Sequence, residues 1–323
     1  MANEDSRKKP EFTNTNTGSA SIPQAGEKTT ILSGMNSSSG LRRLLPILNL
    51  TTGPEQGRIL SLMESGRIEA GRSKNVELSL MDPSCSRRHS EIYWDPVAEK
   101  AFVKDLGSTN GTRVNGARIK TDTQLADGDR IQLGDNTIVK FLMLPEEEAH
   151  AQMNIYIRAT RDALTNALNK RQFEEALGRE LAFQSRGGTA LGLLIFDVDF
   201  FKKINDGFGH ITGDEVLREI GRRVPNVVRK EDLFARIGGE EFAILTRNED
   251  EAGLMTFAER LRVAMGSTPA EFEGRKVTFT VSVGACFLKG KTGVLPDAFM
   301  QKADEALYSA KNSGRNKCVL VTL

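Results

Sequence analysis

Histidine and cysteine are scarce in this sequence, and neither sign of charge prevails. The three cysteines, Cys85, Cys286 and Cys318, lie far apart and are odd in number. That pattern fits neither a disulfide framework nor a zinc site, and it suits a reducing compartment. The three histidines, His89, His150 and His210, have no metal-ligand spacing. Lys and Arg total 44 against 43 Asp and Glu, a net charge of +1 with no basic block, which argues against nucleic acid as a partner. Met1 to Pro10 is polar and lacks the apolar core of a signal peptide. Apolar runs such as Leu191–Phe196 are too short to span a bilayer, so a cytoplasmic protein without membrane insertion is expected.

What is present divides the chain. Residues 1–43 are rich in Ser, Thr, Asn and Gly, including Thr13, Thr15, Thr17, Thr29 and Thr30. Their few aliphatic side chains cannot offset ordering entropy, so a disordered tail is predicted. Over residues 44–143 short apolar runs (Leu44–Leu50, Ser90–Trp94, Ala101–Asp105, Arg130–Leu133) alternate with turn signals such as Asn110-Gly111, Asn115-Gly116 and Asp127-Gly128. Many short strands with regular turns suggest an all-β sandwich. Residues 144–162 read as a connecting helix, with Glu146, Glu147 and Glu148 suiting the positive end of its dipole. Met153, Tyr156 and Ile157 form an apolar stripe that fits either its own domain or a partner helix. From 163 to 323 helical and strand patterns alternate, the mark of an α/β domain around a central sheet.

Two patterns in that domain carry chemistry. The apolar strand ending Phe196-Asp197-Val198-Asp199 delivers two carboxylates to a sheet edge, where open α/β folds place ligands. Oxygen ligands without His or Cys suit Mg²⁺. Strands Asp232–Ile237 and Glu241–Leu245 flank Gly238-Gly239-Glu240, a hairpin whose glycines are expected at positive φ and whose tip presents Glu240 and Glu241. Acids packed this closely call for a cation. Between these motifs, Asn205 and Asp214 suit a purine edge. Gly290-Lys291-Thr292 mimics the end of a phosphate-binding P-loop, but the required upstream glycine falls on Ala285.

Asp197 through His210, Gly213-Asp214-Glu215, Arg236 through Phe242, and Ala303 through Asn316 together resemble GGDEF-type diguanylate cyclases over about residues 160–320. The resemblance implies a nucleotidyl-cyclase, palm-like α/β fold that condenses two GTP into cyclic di-GMP and two pyrophosphates. It implies Mg²⁺, with Mn²⁺ as the alternative, on Asp197, the Val198 carbonyl and Glu240. Asn205 and Asp214 would read guanine. Backbone amides of Phe200 and Phe201, with Lys311 and Arg315, would hold the β- and γ-phosphates, and Lys202 would stabilise charge on the transferring phosphate. Glu240 or Glu241 would help deprotonate the 3′-OH. Because one domain holds one GTP, a homodimer is implied. Arg229 and Asp232 match the family's inhibitory product site, with Arg260 as a second arginine. One departure stands at the domain start, where Asn166 replaces the family's usual glycine; asparagine still tolerates positive φ.

Gly71-Arg72-Ser73, Ser86-Arg87-Arg88-His89, Gly107 through Thr112 and Val114-Asn115-Gly116 resemble the forkhead-associated (FHA) domain over about residues 44–143. That family binds phosphothreonine peptides through loops at one end of a sandwich. Carried over, Arg72 and Ser86 would contact phosphate, Arg87 would add charge, and Thr109 and Asn110 would hold the peptide backbone, while His89 braces the loops. The expected whole is a phosphothreonine-regulated cyclase, with the Thr-rich tail as one candidate phosphopeptide. The rival expectation is a non-catalytic cyclic di-GMP or GTP receptor that uses the FHA domain as a scaffold.

Overall fold

The computed structural model describes residues 43–323 except 54, 74, 81, 188–189, 230, 248–249 and 291–292, so the expected N-terminal tail lies outside the described residues. Eleven strands and one short helix come first: β1 Leu44–Thr52, β2 Ile59–Ser61, α1 Leu62–Ser65, β3 Arg67–Gly71, β4 Leu78–Ser79, β5 Ser90–Asp95, β6 Lys100–Asp105, β7 Thr112–Val114, β8 Ala117–Arg118, β9 Thr123–Leu125, β10 Arg130–Leu133 and β11 Thr137–Pro145. They form two sheets, ordered β2-β1-β11-β10-β7-β8 and β4-β3-β5-β6-β9. Alternate residues of each strand meet between the sheets, where Leu48, Leu50, Ile92, Val103, Ile131 and Phe141 are buried.

Helix α2 (Glu146–Thr160) follows β11 directly. Its stripe is split rather than continuous. Ala149 and Met153 pack on Leu45 and Ile47 of the sandwich. Ile155 and Ile157 remain 67% and 43% exposed.

The C-terminal elements are β12 Leu168–Asn169, α3 Lys170–Ser185, β13 Leu191–Val198, α4 Phe201–Phe208, α5 His210–Arg223, β14 Leu233–Arg236, β15 Glu241–Arg247, α6 Glu251–Gly266, β16 Ala270–Phe272, β17 Arg275–Val277, β18 Val281–Leu288, α7 Pro296–Asn312 and β19 Cys318–Thr322. The main sheet runs β12-β14-β15-β13-β18-β19. All eight residues of β13 are buried because helices cover both faces. Leu194, Phe196 and Val198 pack with Val216 and Ile220 of α5 and Leu261 of α6. Leu191, Leu193 and Ile195 pack with Phe173 of α3 and Phe299 of α7. A strand covered on both faces reads as an unbroken apolar run. Phe196, Phe242 and Phe234 stack across three neighbouring strands, with centroids 5.3 and 5.7 Å apart.

The sheet is not doubly wound. β13 is antiparallel to both β15 and β18, and only the outer pairs β12–β14 and β18–β19 are parallel. Antiparallel pairing lays the carboxyl end of β13 beside the amino end of β15, so the acids of two strands share one edge. Among the described residues, no helix is long and apolar enough to cross a membrane.

Candidate active site

At that edge Asp197 is the register partner of Glu241 on β15 and of Ser282 on β18. Its carboxylate is nearly buried and accepts an ion pair from Lys311 Nζ at 2.8 Å. Burial pushes the Asp197 carboxyl up to about 6; Lys311 pulls the other way, and Glu240 and Glu241 add to the rise. A carboxyl raised by burial and by neighbouring acids is one that a bound cation relieves. Among the described residues, no three acids already converge into a closed cage. Mg²⁺ does not require one, since it commonly takes one or two carboxylates and completes its shell with waters and substrate phosphates. The donor set Asp197, Val198 carbonyl and Glu240 therefore fits such an ion.

The hairpin differs from the expected one. Neither Gly238 nor Gly239 takes a left-handed φ. The Glu241 carboxylate folds back over Gly238, so a Cβ there would displace that flexible side chain. The turn is closed by Ile237 and Gly238 amides donating to the Glu241 carbonyl at 2.9 and 3.2 Å. Arg236 braces it from behind. Its Nε and Nη2 donate to the Gly239 carbonyl at 3.0 and 2.7 Å, and its Nη1 donates to both oxygens of Asp162 at 3.1 Å. Burial alone would raise Asp162, but bonds from Thr165 and Arg236 hold it below the usual carboxylate range. Asn166, just past it, takes φ 57°, as expected for the residue that replaces glycine.

Asn205 lies on α4 and Asp214 on α5, on either side of the Gly209 turn, whose φ is 86°. Asn205 Oδ1 is buried without a partner, and a side chain at Gly213 would fill its place. Phe200 opens α4 in a left-handed conformation, φ 56°. A non-glycine residue held there stores strain of the kind that clusters at functional sites. Lys202 is exposed on the first turn of α4. Arg315 lies over the Phe200 ring at 4.4 Å and Lys203 at 4.5 Å, so the cation set gathers at the start of α4.

Two further groupings lie away from this edge. The Arg229 amide donates to Asp232 Oδ2 at 2.8 Å, and Arg260 Nη2 of α6 donates to the Val227 carbonyl at 3.1 Å, which brings Arg260 to the same turn. At one end of the sandwich, a cleft of about 580 Å³ is lined by Arg72, Ser84, Ser86, Arg87, Thr109 and Asn110 among others. Ser86 Oγ accepts from the Thr109 amide at 2.9 Å, and Asn110 Nδ2 donates to the Ser84 carbonyl at 2.8 Å. His89 is fully buried beneath it: Nδ1 accepts from the Ser86 amide at 3.2 Å and Nε2 lies 3.3 Å from the Gly111 carbonyl, which fixes a neutral ring with the proton on Nε2. Burial lowers its pKa. Arg88 also lines the cleft, but its guanidinium is engaged by Glu69 at 2.5 and 2.7 Å.

Some residues escaped the sequence reading. Asp304 lies one helical turn before Tyr308 and two before Lys311 on α7; burial raises its pKa first and Glu241 next, with Lys311 and Lys170 opposing. Its spacing of seven from Lys311 was the available signal. Asp199, the second acid after β13, does not face the cation site at all and is buried in hydroxyls.

A family model described as diguanylate cyclase, GGDEF domain, matches residues 159–317, and an FHA domain model matches residues 68–134. The response regulator PleD of Caulobacter vibrioides is 40% identical over 163 residues, covering 50% of this chain and 36% of PleD. Diguanylate cyclase DosC of Escherichia coli is 40% identical over 160 residues, covering 49% of this chain and 34% of DosC. The chain thus spans about a third of the length of these curated relatives. The crystal structure of the coiled coil and GGDEF domain of DgcB from Caulobacter crescentus, in complex with c-di-GMP, aligns with a TM-score of 0.51 at 32% identity over 55% of this chain and 93% of that one.

Proposed function

The chain belongs to the GGDEF diguanylate cyclase family and carries an FHA domain ahead of its cyclase domain, and from that premise we propose that it condenses two GTP into cyclic di-GMP. The observation that carries the reading is the pairing of Asp197 with Glu241 across β13 and β15, with Lys311 held on the same carboxylate. Asp197, the Val198 carbonyl and Glu240 would hold Mg²⁺ or Mn²⁺. When bound, that ion supplies charge neutralisation at the reacting phosphates and favours the alkoxide form of the attacking 3′-OH.

The chain's own residues do the rest. Asn205 and Asp214 fix the base; the buried, unpartnered Asn205 oxygen supports a ligand there, since such an atom is costly to leave unpaired. Amides at the start of α4, with Lys311 and Arg315, hold the terminal phosphates, and Lys202 faces the charge that grows on the α-phosphate. Glu240 or Glu241 accepts the proton of the 3′-OH. Each domain presents one nucleotide, so two copies meet face to face and each supplies one half of the reaction. A purely binding receptor has no use for this complete set of acids and cations.

Incubation of the full chain with GTP and Mg²⁺ is expected to yield cyclic di-GMP and pyrophosphate, identified by mass spectrometry. Glu241→Ala is expected to cut the rate by about 10² or more, in the range seen for a lost acid–base or electrostatic group. Product formation by wild type at no more than background overturns the proposal.

Regulation is proposed at two sites. Arg229, Asp232 and Arg260 bind the product and slow the enzyme, arginine forks matching both phosphate and guanine. The cleft around Arg72 binds a phosphothreonine peptide, its own N-terminal tail being one source; Thr29, with Leu32 three residues on, is the first candidate. Arg72→Ala is expected to weaken binding of a phosphothreonine peptide at least about tenfold and to remove any activation by it, because a doubly charged phosphate rewards an arginine strongly. Unchanged peptide affinity, read by fluorescence anisotropy, counts against this.

A further inference from the structure

Asp199 stands two residues past Asp197 and invites reading as a second metal ligand. Its surroundings exclude that role. The side chain is 5% exposed, and both of its oxygens are engaged by protein donors. Oδ1 accepts from Ser282 Oγ at 2.6 Å. Oδ2 accepts from Thr280 Oγ1 at 2.6 Å and from the Asn316 backbone amide at 3.0 Å. The Asp199 amide itself donates to the Thr280 carbonyl at 2.9 Å. One residue thus joins the end of β13, the start of β18 and the loop between α7 and β19.

That loop is the one that carries Arg315. It needs holding, because Arg315 and Asn316 are consecutive non-glycine residues at positive φ, 61° and 45°. Each such residue costs about 1–2 kcal/mol and persists only where its neighbours fix it. The Asn316 amide is fixed by Asp199 from below. Its side-chain oxygen is fixed from the side by Arg262 Nη1 of α6 at 2.7 Å. Above the same point, Arg315 rests on the ring of Phe200, the residue that follows Asp199 in the chain.

We infer that Asp199 is a positioning residue: its carboxylate clamps the α7–β19 loop in a strained conformation so that Arg315 stands over Phe200 at the phosphate end of the site. The inference rests on the proposal that Arg315 meets the terminal phosphates of GTP. It assigns different work to the two acids after β13, Asp197 to the cation and Asp199 to the arginine. Asparagine at 199 keeps the volume and leaves one oxygen to accept from Thr280 and the Asn316 amide, but it removes the negative charge that strengthens those bonds.

The test measures nucleotide binding by the full chain, using calorimetry with a non-hydrolysable α,β-methylene analogue of GTP and with GMP, each with and without Mg²⁺. Asp199→Asn is expected to weaken the triphosphate about tenfold, the loss of one charge-assisted contact, and to leave GMP unchanged. Arg315→Ala is expected to do the same. The double variant is expected to bind no more weakly than Arg315→Ala alone, as required if one residue acts through the other. Losses that multiply in the double variant overturn the inference, as does equal weakening of GMP, or a loss that appears only with Mg²⁺. If Asp199→Asn does not fold, Arg262→Gln, which loosens Asn316 from the other side, replaces it in the same cycle with the same expected coupling. Failure of wild type to make product from GTP bears on the proposed reaction alone, since the binding cycle is decided without turnover.

Discussion

Asp197→Asn is expected to lower turnover by about 10³, the scale of losing a principal source of electrostatic stabilisation in a catalytic site. The substitution is nearly isosteric, so packing at the end of β13 is kept while the charge that pairs with Lys311 is lost. Two consequences separate this from general damage. First, the proposed base contacts, Asn205 and Asp214, lie on α4 and α5, so GMP affinity is expected to stay within about twofold, the scatter of independent sites. Second, the pH dependence of stability changes in a defined direction. A carboxyl raised by burial to about 6 binds its proton more tightly in the folded state than in the unfolded one. Its contribution to stability is therefore greatest at low pH and declines as pH rises through the window from the ordinary carboxylate range to about 6. Asparagine cannot titrate. In metal-free buffer the stability of wild type relative to Asp197→Asn is thus expected to fall across that window and level off above it. A turnover within tenfold of wild type, or a flat difference curve, refutes the role given to Asp197.

Gly284→Ala is expected to destabilise the cyclase domain by about 3 kcal/mol, the upper range for forcing one methyl into a filled core. Gly284 sits in β18 beneath α7. An added methyl would overlap the Ala303 carbonyl and the Leu307 amide, and would stand 2.7 Å from Leu307 Cα. These atoms are helix backbone, so relief requires α7 to lift as a body, and α7 carries Lys311. The loss corresponds to roughly 6–12 °C in the unfolding midpoint of a domain this size. It should be read from the cyclase transition alone, because a two-domain chain need not unfold in one step. Phosphothreonine peptide affinity serves as the internal control and is expected to be retained. Gly178→Ala, on α3 with nothing within 4 Å of the new methyl, is expected to be neutral or slightly stabilising. A midpoint shift below about 2 °C for Gly284→Ala would mean that α7 is not seated on that glycine.

Where local chemistry decides structure, the sequence was readable to the residue. Helices α3 and α7 begin where local signals place a start: Asn169 caps the first, accepting from the Gln172 amide, and Pro296 opens the second. Strands of two or three residues such as β4, β7, β8 and β12 were not readable, since their pairing comes from neighbours distant in sequence rather than from their own pattern. Helix α4 was missed for a related reason: it is eight residues long and opens on a phenylalanine forced left-handed, which no propensity suggests. The glycines of the hairpin were expected for positive φ, which neither adopts; Gly238 lies under the Glu241 carboxylate, while Gly239 has open space around it.

The sequence by itself determined the order of the two domains and the chemical set: acids at the end of an apolar strand and at a hairpin tip, an amide and an acid for a base, two cations at the end of the last helix, arginine and serine in the sandwich loops. These follow from residue type and short-range spacing. What each acid faces is set by tertiary contacts alone. Asp197 and Asp199 are two residues apart and chemically identical, yet one faces Lys311 and the other faces Thr280, Ser282 and the Asn316 amide. Those partners come from β18 and the loop before β19, more than eighty residues further along the chain. Antiparallel pairing of β13 and β18 brings them to its end, and no local pattern around Asp199 records that they are there.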